Sequence, residues 1–139
     1  MAIFRRKNSK QLVNQVKTLL NQVGIGEKLW SKFTNQLSGG ESQRVGIVRA
    51  IINTPKIVFA DEPIDPLNSA TSEDVLDVFS KVNDDGQSIV MVTHDIKTAI
   101  RENRIIYLQD GYISGELKLE KYSEIDLNIR RENILIYLT

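Results

Sequence analysis

The strongest constraint on the fold comes from two short apolar segments that each end in polar residues. They are KIVFAD, Lys56 to Asp61, and SIVMVTHD, Ser88 to Asp95. Continuous apolar runs of this length are typical of parallel strands buried on both faces. Between them, Ser69 to Asn83 has apolar residues at helical spacing, and Gly86 ends the pattern. This order predicts an α/β fold with a parallel sheet and right-handed crossover connections.

Helices are predicted before the first strand. Apolar residues recur at helical spacing, and a glycine or proline follows where a helix should end. The predicted helices cover Ser9 to Val23, a short segment around Leu29, Trp30 and Phe33, and Glu41 to Asn53.

A short helix, a β-hairpin and a final helix are predicted after the second strand. The Asp110-Gly111 pair predicts the tight turn of the hairpin, because both residue types tolerate positive φ. The predicted elements cover Ile96 to about Glu102, Arg104 to Leu117 and Glu120 to Thr139. The apolar residues of the last helix are Ile125, Ile129, Leu135 and Leu138.

These patterns divide the chain into three parts. Residues 1–54 form a partial helical subdomain, residues 55–119 carry the α/β core with the hairpin, and residues 120–139 form a helical extension. The strands Ile57–Ala60 and Ile89–Val92 are apolar on both faces, so they require neighbouring strands and covering helices. An uncovered strand edge or apolar face favours aggregation or pairing. We therefore expect the isolated chain to be marginally stable or to depend on a partner.

Composition excludes several classes of protein. The 139 residues include no cysteine and a single histidine, which rules out disulfides and Cys-rich or His-rich metal sites. Lys and Arg together number 18, as do Asp and Glu, so net charge gives no reason to expect nucleic-acid binding. No apolar run approaches the roughly 20 residues of a transmembrane helix. The start of the chain lacks the order of regions found in a signal peptide, and the cytosol is the default location.

The stretch Ser38-Gly39-Gly40 precedes the predicted third helix and has the composition of an anion site. Glycines let backbone N–H groups approach an anion closely, and a helix directs its positive end toward the same place. The alternative is a helix N-cap that follows a flexible turn. Both interpretations stay open at this point.

Acidic residues and the single histidine follow the two predicted strands. In open α/β sheets, chemistry takes place at the carboxyl ends of the strands. Asp61 could hold Mg²⁺ there, and Glu62 could orient or deprotonate a water molecule. His94 follows the second strand and could donate a hydrogen bond to a phosphate. The alternatives are a solvated strand end for the carboxylates and a satisfied, structural role for the histidine.

Together, these segments resemble the nucleotide-binding subunit of ABC transporters, a P-loop NTPase-like ATPase. LSGGESQR resembles the signature motif, IVFADEP the Walker B motif, VTHD the switch-histidine motif and PLNSATSEDV the D-loop. The resemblance runs from about residue 8 to the end, and bacterial exporters of peptides and antibiotics are the nearest group within the family.

The resemblance implies a role for each matching residue. Three clusters would surround ATP and Mg²⁺, and one turn would cross a dimer interface. Ser38, Gly39, Gly40 and Glu41 would contact the γ-phosphate of an ATP held mainly by the other subunit; Asp61 would support Mg²⁺; Glu62 would be the catalytic carboxylate; His94 would contact the γ-phosphate; Leu67, Asn68 and Ser69 would lie at the interface.

The phosphate-binding loop of that family, GxxxxGKS or GxxxxGKT, does not occur in this sequence. No glycine–lysine pair is present among the eight glycines. We therefore expect very weak ATP affinity and no useful hydrolysis by the isolated chain. Smaller departures are Asn68 in place of the usual aspartate, Ile64-Asp65 in place of threonine-glycine, and Glu41 in place of the commoner glutamine.

Three hypotheses for function follow. The first is an N-terminally truncated ATP-binding subunit, which in complete form would couple ATP hydrolysis to export or efflux across a membrane. The second is a split subunit completed by another polypeptide, and the third is a non-catalytic module that docks on an intact ATPase. In the first, the expected partners are a second ABC ATPase subunit and a transmembrane permease, with the subunit peripheral on the cytoplasmic face of the membrane and without nucleic acid.

Overall fold

The computed structural model of the chain describes residues 9–138, which divide into two units between Met91 and Val92. Each unit is described by itself. The division into 1–54, 55–119 and 120–139 concerns subdomains of a larger fold and stays a prediction. Within residues 9–138, no helix is both long enough and apolar enough to cross a bilayer.

The described part of the first unit contains four helices and two strands, and the second strand ends at the boundary between the units. They are α1 (Ser9–Gln22), α2 (Glu27–Trp30), α3 (Gly39–Ile51), β1 (Ile57–Asp61), α4 (Ser69–Asp84) and β2 (Ser88–Val92), with a 3₁₀ turn at Thr34–Gln36. The strands β1 and β2 are hydrogen-bonded, parallel neighbours. The predicted α/β class and its strand–helix–strand unit are therefore confirmed.

The end of α1 is set by a glycine, as predicted. Gly24 adopts a left-handed conformation with φ of +76°, which few other residue types tolerate. The Ile25 N–H then donates to the Leu20 carbonyl at 2.8 Å and closes the helix end. This turn buries Val23 and Ile25 in a small apolar cluster with Val48 of α3.

The second helix is shorter than its apolar residues suggest. Its last residue, Trp30, donates from Nε1 to the Ile25 carbonyl at 3.0 Å, which anchors α2 to the end of α1. Phe33 lies beyond the helix, and 76% of its surface is exposed. The prediction that Phe33 belongs to this helix was wrong. Only Leu29 and Trp30 of the three apolar residues lie within α2.

The core of the first unit lies against α4. Val75 and Leu76 are almost completely buried, and Phe79 and Val82 continue the same face. Other elements contribute their inward residues to the same cluster. These are Ile47 and Ile51 of α3, Ala60 of β1, Ile64 and Leu67 of the following loop, and Ile89 and Met91 of β2.

The two-stranded sheet of this unit is covered on one side. Val58 of β1 is buried, whereas Phe59 is 77% exposed and Ile57 is 48% exposed. On β2, Val90 and Val92 are also exposed. We call the three residues of the first unit, Ile57, Phe59 and Val90, the outer sheet face. The apolar composition on both sides of the strands was predicted, and the described part of the chain buries one of the two sides.

The second unit contains the predicted hairpin between two helices. Its elements are α5 (Ile96–Ala99), β3 (Arg104–Gln109), β4 (Tyr112–Lys118), a 3₁₀ turn at Glu124–Asp126 and α6 (Leu127–Leu138). Asp110 and Gly111 both have positive φ, +50° and +82°, and Gln109 pairs with Tyr112 across the turn. These values are typical of a two-residue hairpin turn, so this prediction is confirmed.

The last helix begins at Leu127, so its predicted start at Glu120 was wrong, and its buried residues include a charged one. Ile125 is 92% exposed and Ile129 is 61% exposed, whereas Ile134 and Arg130 are buried. Ile125 lies in the 3₁₀ turn before α6, and the buried positions of the helix include Arg130 beside Ile134. Periodicity counts apolar residues and does not detect an arginine whose donors are satisfied.

Arg130 ties α6 to the preceding segments of its unit. Its Nε donates to the Ile100 carbonyl at 2.6 Å, and its two terminal nitrogens donate to the carbonyls of Glu102 and Glu120 at 2.7 Å. The guanidinium also lies 5.7 Å from the centre of the Tyr122 ring. Burial raises the pKa of the Glu102 carboxyl, and the positive charge of Arg130 opposes that shift.

Replacement of Arg130 by methionine should lower the free energy of unfolding by roughly 2–4 kcal/mol, because three carbonyl groups lose charged donors. Urea unfolding measures the loss, and hydrogen exchange of α6 amides locates it. Arg131, an exposed neighbour on the same helix, supplies the control, since Arg131→Met should change stability by less than about 0.5 kcal/mol. Equal losses of unfolding free energy for both variants would contradict the conclusion that Arg130 anchors α6.

Candidate functional site

Ser38 caps α3 and is held there by Glu41. The Glu41 N–H donates to Ser38 Oγ at 3.2 Å, and the Ser38 N–H donates to Glu41 Oε2 at 2.8 Å. This reciprocal pair is a capping box. Ser38 is therefore the N-cap, one of the two roles expected for it, and its contact with a phosphate stays a prediction.

The first turn of α3 retains donors for an anion. The N–H groups of the first helical residues have no carbonyl partner within the helix, and the helix dipole places partial positive charge at the same end. Ser38 and Gly39 are exposed at this end, whereas Gly40 is buried. The accessible part of the turn is thus the serine and the first glycine.

The same turn packs against the start of α4. A Cβ atom on Gly39 would lie 3.0 Å from Leu67 Cδ2, and a Cβ atom on Gly40 would overlap Thr71 Cγ2. The predicted signature turn and the predicted interface turn are therefore brought together. We call this contact of Gly39 and Gly40 with Leu67 and Thr71 the glycine seam.

The start of α4 is also capped by the side chain of its N-cap residue. The Thr71 N–H donates to Asn68 Oδ1 at 3.0 Å, and Ser72 Oγ donates to the Asn68 carbonyl at 2.9 Å. Asparagine is as good an N-cap as aspartate, so the departure from the family's usual aspartate keeps this helix end intact. The N-termini of α3 and α4 thus lie side by side, and the positive potentials of the two helix ends add.

The two adjacent carboxylates follow β1 directly. Asp61 is its last residue and is exposed, and Glu62 is half-buried. Glu62 has φ of +44°, a left-handed conformation that is strained for a residue with a side chain. Pro63 and Ile64 are buried immediately afterwards. The chain therefore bends sharply at Glu62, at the end of the strand. This bend fixes the backbone from which the Glu62 side chain projects.

The carboxylates at the end of β1 could take only a small part in binding Mg²⁺. Among the described residues, no three side chains of His, Cys, Asp or Glu lie close enough together to hold a metal ion. Mg²⁺ in nucleotide sites is commonly held by one or two carboxylates together with phosphate oxygens and water. The exposed carboxylate of Asp61 fits that role, with phosphate as the main ligand.

His94 belongs to the second unit and lies between β2 and α5. It is exposed, and the turn around it is fixed by its neighbours: the Asp95 N–H donates to Thr93 Oγ1 at 3.0 Å, and the Lys97 N–H donates to Asp95 Oδ1 at 2.6 Å. The convergence of His94 with Asp61 and Glu62 stays a prediction, as do the roles of all three.

Thr71 is the residue of the seam that the sequence did not single out. It lies in the stretch PLNSATSEDV, where only Leu67, Asn68 and Ser69 were expected to matter. The available signal was the pair of glycines just before the predicted helix, since successive glycines can mark a place where another group approaches the backbone closely.

Comparisons with known proteins support the motif assignment. The family model described as ABC transporter matches residues 3–65. The macrolide export ATP-binding/permease protein MacB of Campylobacter jejuni is 42% identical over 123 residues, which cover 88% of this chain and 19% of MacB. The lipoprotein-releasing system ATP-binding protein LolD of Aquifex aeolicus is 44% identical over 111 residues, which cover 80% of this chain and 49% of LolD. This chain belongs to the ABC transporter ATPase family.

A solved structure agrees with this assignment to the ABC family. The dimeric ATP-binding cassette MJ0796 of Methanocaldococcus jannaschii, bound to ADP and Pi, matches with a TM-score of 0.71 at 38% identity, over 86% of this chain and 52% of the cassette. The chain thus spans about half the length of the separate ATP-binding relatives and is a partial ABC domain. The predicted similarity to export-type ABC ATPases is confirmed.

Two variants of Glu41 separate the contribution of its hydrogen bond to stability from that of its charge. Glu41→Gln keeps an acceptor for the Ser38 N–H and should leave the unfolding free energy nearly unchanged. Glu41→Ala removes the acceptor and should cost about 0.3–1.5 kcal/mol. Thermal unfolding measures both variants. Glu27→Gln, which alters an exposed carboxylate in the first turn of α2, serves as the control, and equal stability of Glu41→Ala and Glu41→Gln would show that the box contributes nothing.

Proposed function

We propose that this chain acts as part of an ABC transporter ATPase, in which its signature turn completes an ATP site held mainly by a second subunit. The observation that carries the proposal is the exposed pair Ser38 and Gly39 at the start of α3, next to the capped start of α4. An exposed helix N-terminus with serine and glycine is suited to a phosphate that arrives on another molecule. The contact of Glu41 with that phosphate belongs to the same proposal, and Gly40, which is buried, would contribute only its backbone N–H.

The chain's other site residues fit hydrolysis once a phosphate-binding loop is present. Asp61 would help to hold Mg²⁺, Glu62 would orient or deprotonate the attacking water, and His94 would donate to the γ-phosphate. Mg²⁺ supplies charge neutralisation of the phosphates when it is bound. Without the loop, the chain lacks the lysine and the backbone donors that hold the β- and γ-phosphates, so it should bind ATP weakly by itself.

The partners we propose are a second ABC ATPase subunit and a transmembrane permease. The MJ0796 cassette is described as a dimer, and the MacB relatives are named as ATP-binding/permease proteins. By analogy, Leu67, Asn68 and Ser69 would lie at the subunit interface, and the assembly would be peripheral on the cytoplasmic face of the membrane. Export or efflux is the proposed process.

A pair of Ser38 variants tests the proposed phosphate contact. Asp and Asn both cap helices as well as Ser does, but an aspartate at this position would add a negative charge beside the phosphate. Two unit charges about 4 Å apart interact by about 4 kcal/mol near a protein surface. We therefore expect Ser38→Asp to weaken ATP-dependent association with a complete cassette by about 100-fold or more, and Ser38→Asn to weaken it far less.

The measurement is sedimentation of this chain with the Aquifex aeolicus LolD relative, with and without an ATP analogue that carries a β,γ-imido bridge. Association should require the analogue, and calorimetry on the chain alone should detect only weak binding. Association that is indifferent to nucleotide, or equal association of the Asp and Asn variants, would overturn the proposal. Tight ATP binding by the chain alone would contradict the expected need for the missing loop.

The outer sheet face favours a second candidate function, that of a split subunit. Phe59 and Val90 are 77% and 46% exposed on a face that also includes Ile57. Burial of a large apolar side chain contributes about 1.5–3 kcal/mol, so a polypeptide that carries the phosphate-binding loop would gain affinity by covering this face. The two polypeptides together would then form one complete ATPase domain.

Co-expression tests this second candidate. The partner is the part of LolD that this chain does not match, supplied as a separate polypeptide. We expect co-purification and ATPase activity only in the mixture, and loss of that activity with Glu62→Gln. Phe59→Ser should weaken co-purification, whereas Ile125→Ser, at a residue that is 92% exposed in the other unit, should not. Failure to co-purify, or equal effects of the two serine variants, would argue against the split subunit.

A further inference from the structure

The two glycines of the signature turn are not explained by backbone conformation. Both lie within α3, and the positive φ values among the described glycines belong to Gly24, Gly86 and Gly111. Glycine in a helix is less favourable than alanine by about 1 kcal/mol. The presence of glycine at these two positions therefore needs another explanation. A common one is that a neighbouring group approaches the backbone too closely for a side chain to fit.

The space around each glycine of α3 identifies that neighbour. At Gly40 an added Cβ would overlap Thr71 Cγ2, and at Gly39 it would be tight against Leu67 Cδ2 at 3.0 Å. At Gly46, further along the same helix, an added Cβ meets nothing within 4 Å. The requirement for glycine therefore arises where α4 touches α3 and not along the helix as a whole.

Thr71 is a fixed neighbour, because its backbone is part of the α4 cap. Its N–H donates to Asn68 Oδ1 at 3.0 Å, and a β-branched side chain in a helix has few rotamers. Gly40, its contact, is buried, whereas Ser38 and Gly39 are exposed. The face of Gly40 that lacks a side chain is thus directed at Thr71 of the same chain and is closed to a ligand.

We propose that Thr71 is a positioning residue for the signature turn, and that position 40 is glycine to accommodate Thr71 rather than to admit a phosphate. Thr71 then sets the spacing between the exposed Ser38–Gly39 pair and the Asn68 turn. The part of this proposal that concerns nucleotide-dependent association rests on the proposed function. The part that concerns packing stands on the seam alone.

A double-mutant cycle tests the packing. Gly40→Ala should lower the Tm by about 4 °C or more, because the new methyl group overlaps Thr71. Thr71→Ser removes Cγ2 and keeps the hydroxyl, so Gly40→Ala combined with Thr71→Ser should recover most of the lost Tm. The combination with Thr71→Val keeps a methyl group in that place and should not recover. Gly46→Ala is the matched control and should leave the Tm equal or higher. An unchanged Tm for Gly40→Ala would overturn the proposal.

The same variants test the role in positioning. We expect Gly40→Ala to weaken ATP-analogue-dependent association with LolD by about tenfold or more, and the combination with Thr71→Ser to restore it to within about threefold of the natural chain. Restored Tm without restored association would mean that position 40 faces the phosphate, which overturns the proposal.

A spectroscopic readout separates this proposal from the proposed function. Thr71→Ser should shift the amide resonances of Gly39 and Gly40 and leave that of Gly46 unchanged. If the natural chain shows no nucleotide-dependent association, the proposed function fails, and the amide shifts still decide whether Thr71 positions the turn. Unchanged shifts at Gly39 and Gly40 would overturn the positioning role.

Discussion

The first unit depends on one short-range constraint: the starts of α3 and α4 touch because two successive residues of α3 have no side chain. Glycine is a poorer helix former than alanine, and these two glycines are the first residues of α3. The close approach offsets this disadvantage, because Leu67 and Thr71 pack against the turn. Val75 and Leu76 follow on α4, and the core of the unit extends from them. The position of the signature turn is thus determined by contacts inside the chain.

The sheet illustrates how composition and fold can differ. Both strands are apolar at nearly every position, and this composition suits a sheet covered on two sides. In this chain, α4 and its neighbours cover one side, so Val58 is 6% exposed while the adjacent Phe59 is 77% exposed. The composition of the strands therefore matches the environment that a covering polypeptide would provide. That match is the reason a split subunit is a candidate, although the signature turn carries the primary proposal.

Local signals in the sequence predicted most elements, because each has a local physical cause. Gly24 ends α1 through its left-handed φ, and Asp110-Gly111 turns the hairpin through two positive φ values. The errors arose where distant contacts decide. Arg130 is buried because three carbonyls, of Ile100, Glu102 and Glu120, accept its donors. Thr71 was missed because the glycine that it contacts, Gly40, is remote in sequence. Periodicity and motif spacing contain no information on such hydrogen bonds or contacts between residues that are distant in sequence.

The segment from Asp61 to Asn68 connects the proposed chemistry to the seam. Glu62 has a strained φ of +44°, which costs on the order of 1–3 kcal/mol, and it is retained because the buried Ile64 fixes the chain two residues later. The Leu67 N–H then donates to the Ile64 carbonyl at 2.9 Å, and Leu67 packs on Gly39. The strand-end carboxylates and the signature turn are therefore both anchored to the start of α4. A displacement of that helix end relative to α3 would therefore disturb the packing of Leu67 on Gly39 and of Thr71 on Gly40 together, and we expect it to move the signature turn and the strand-end carboxylates at once.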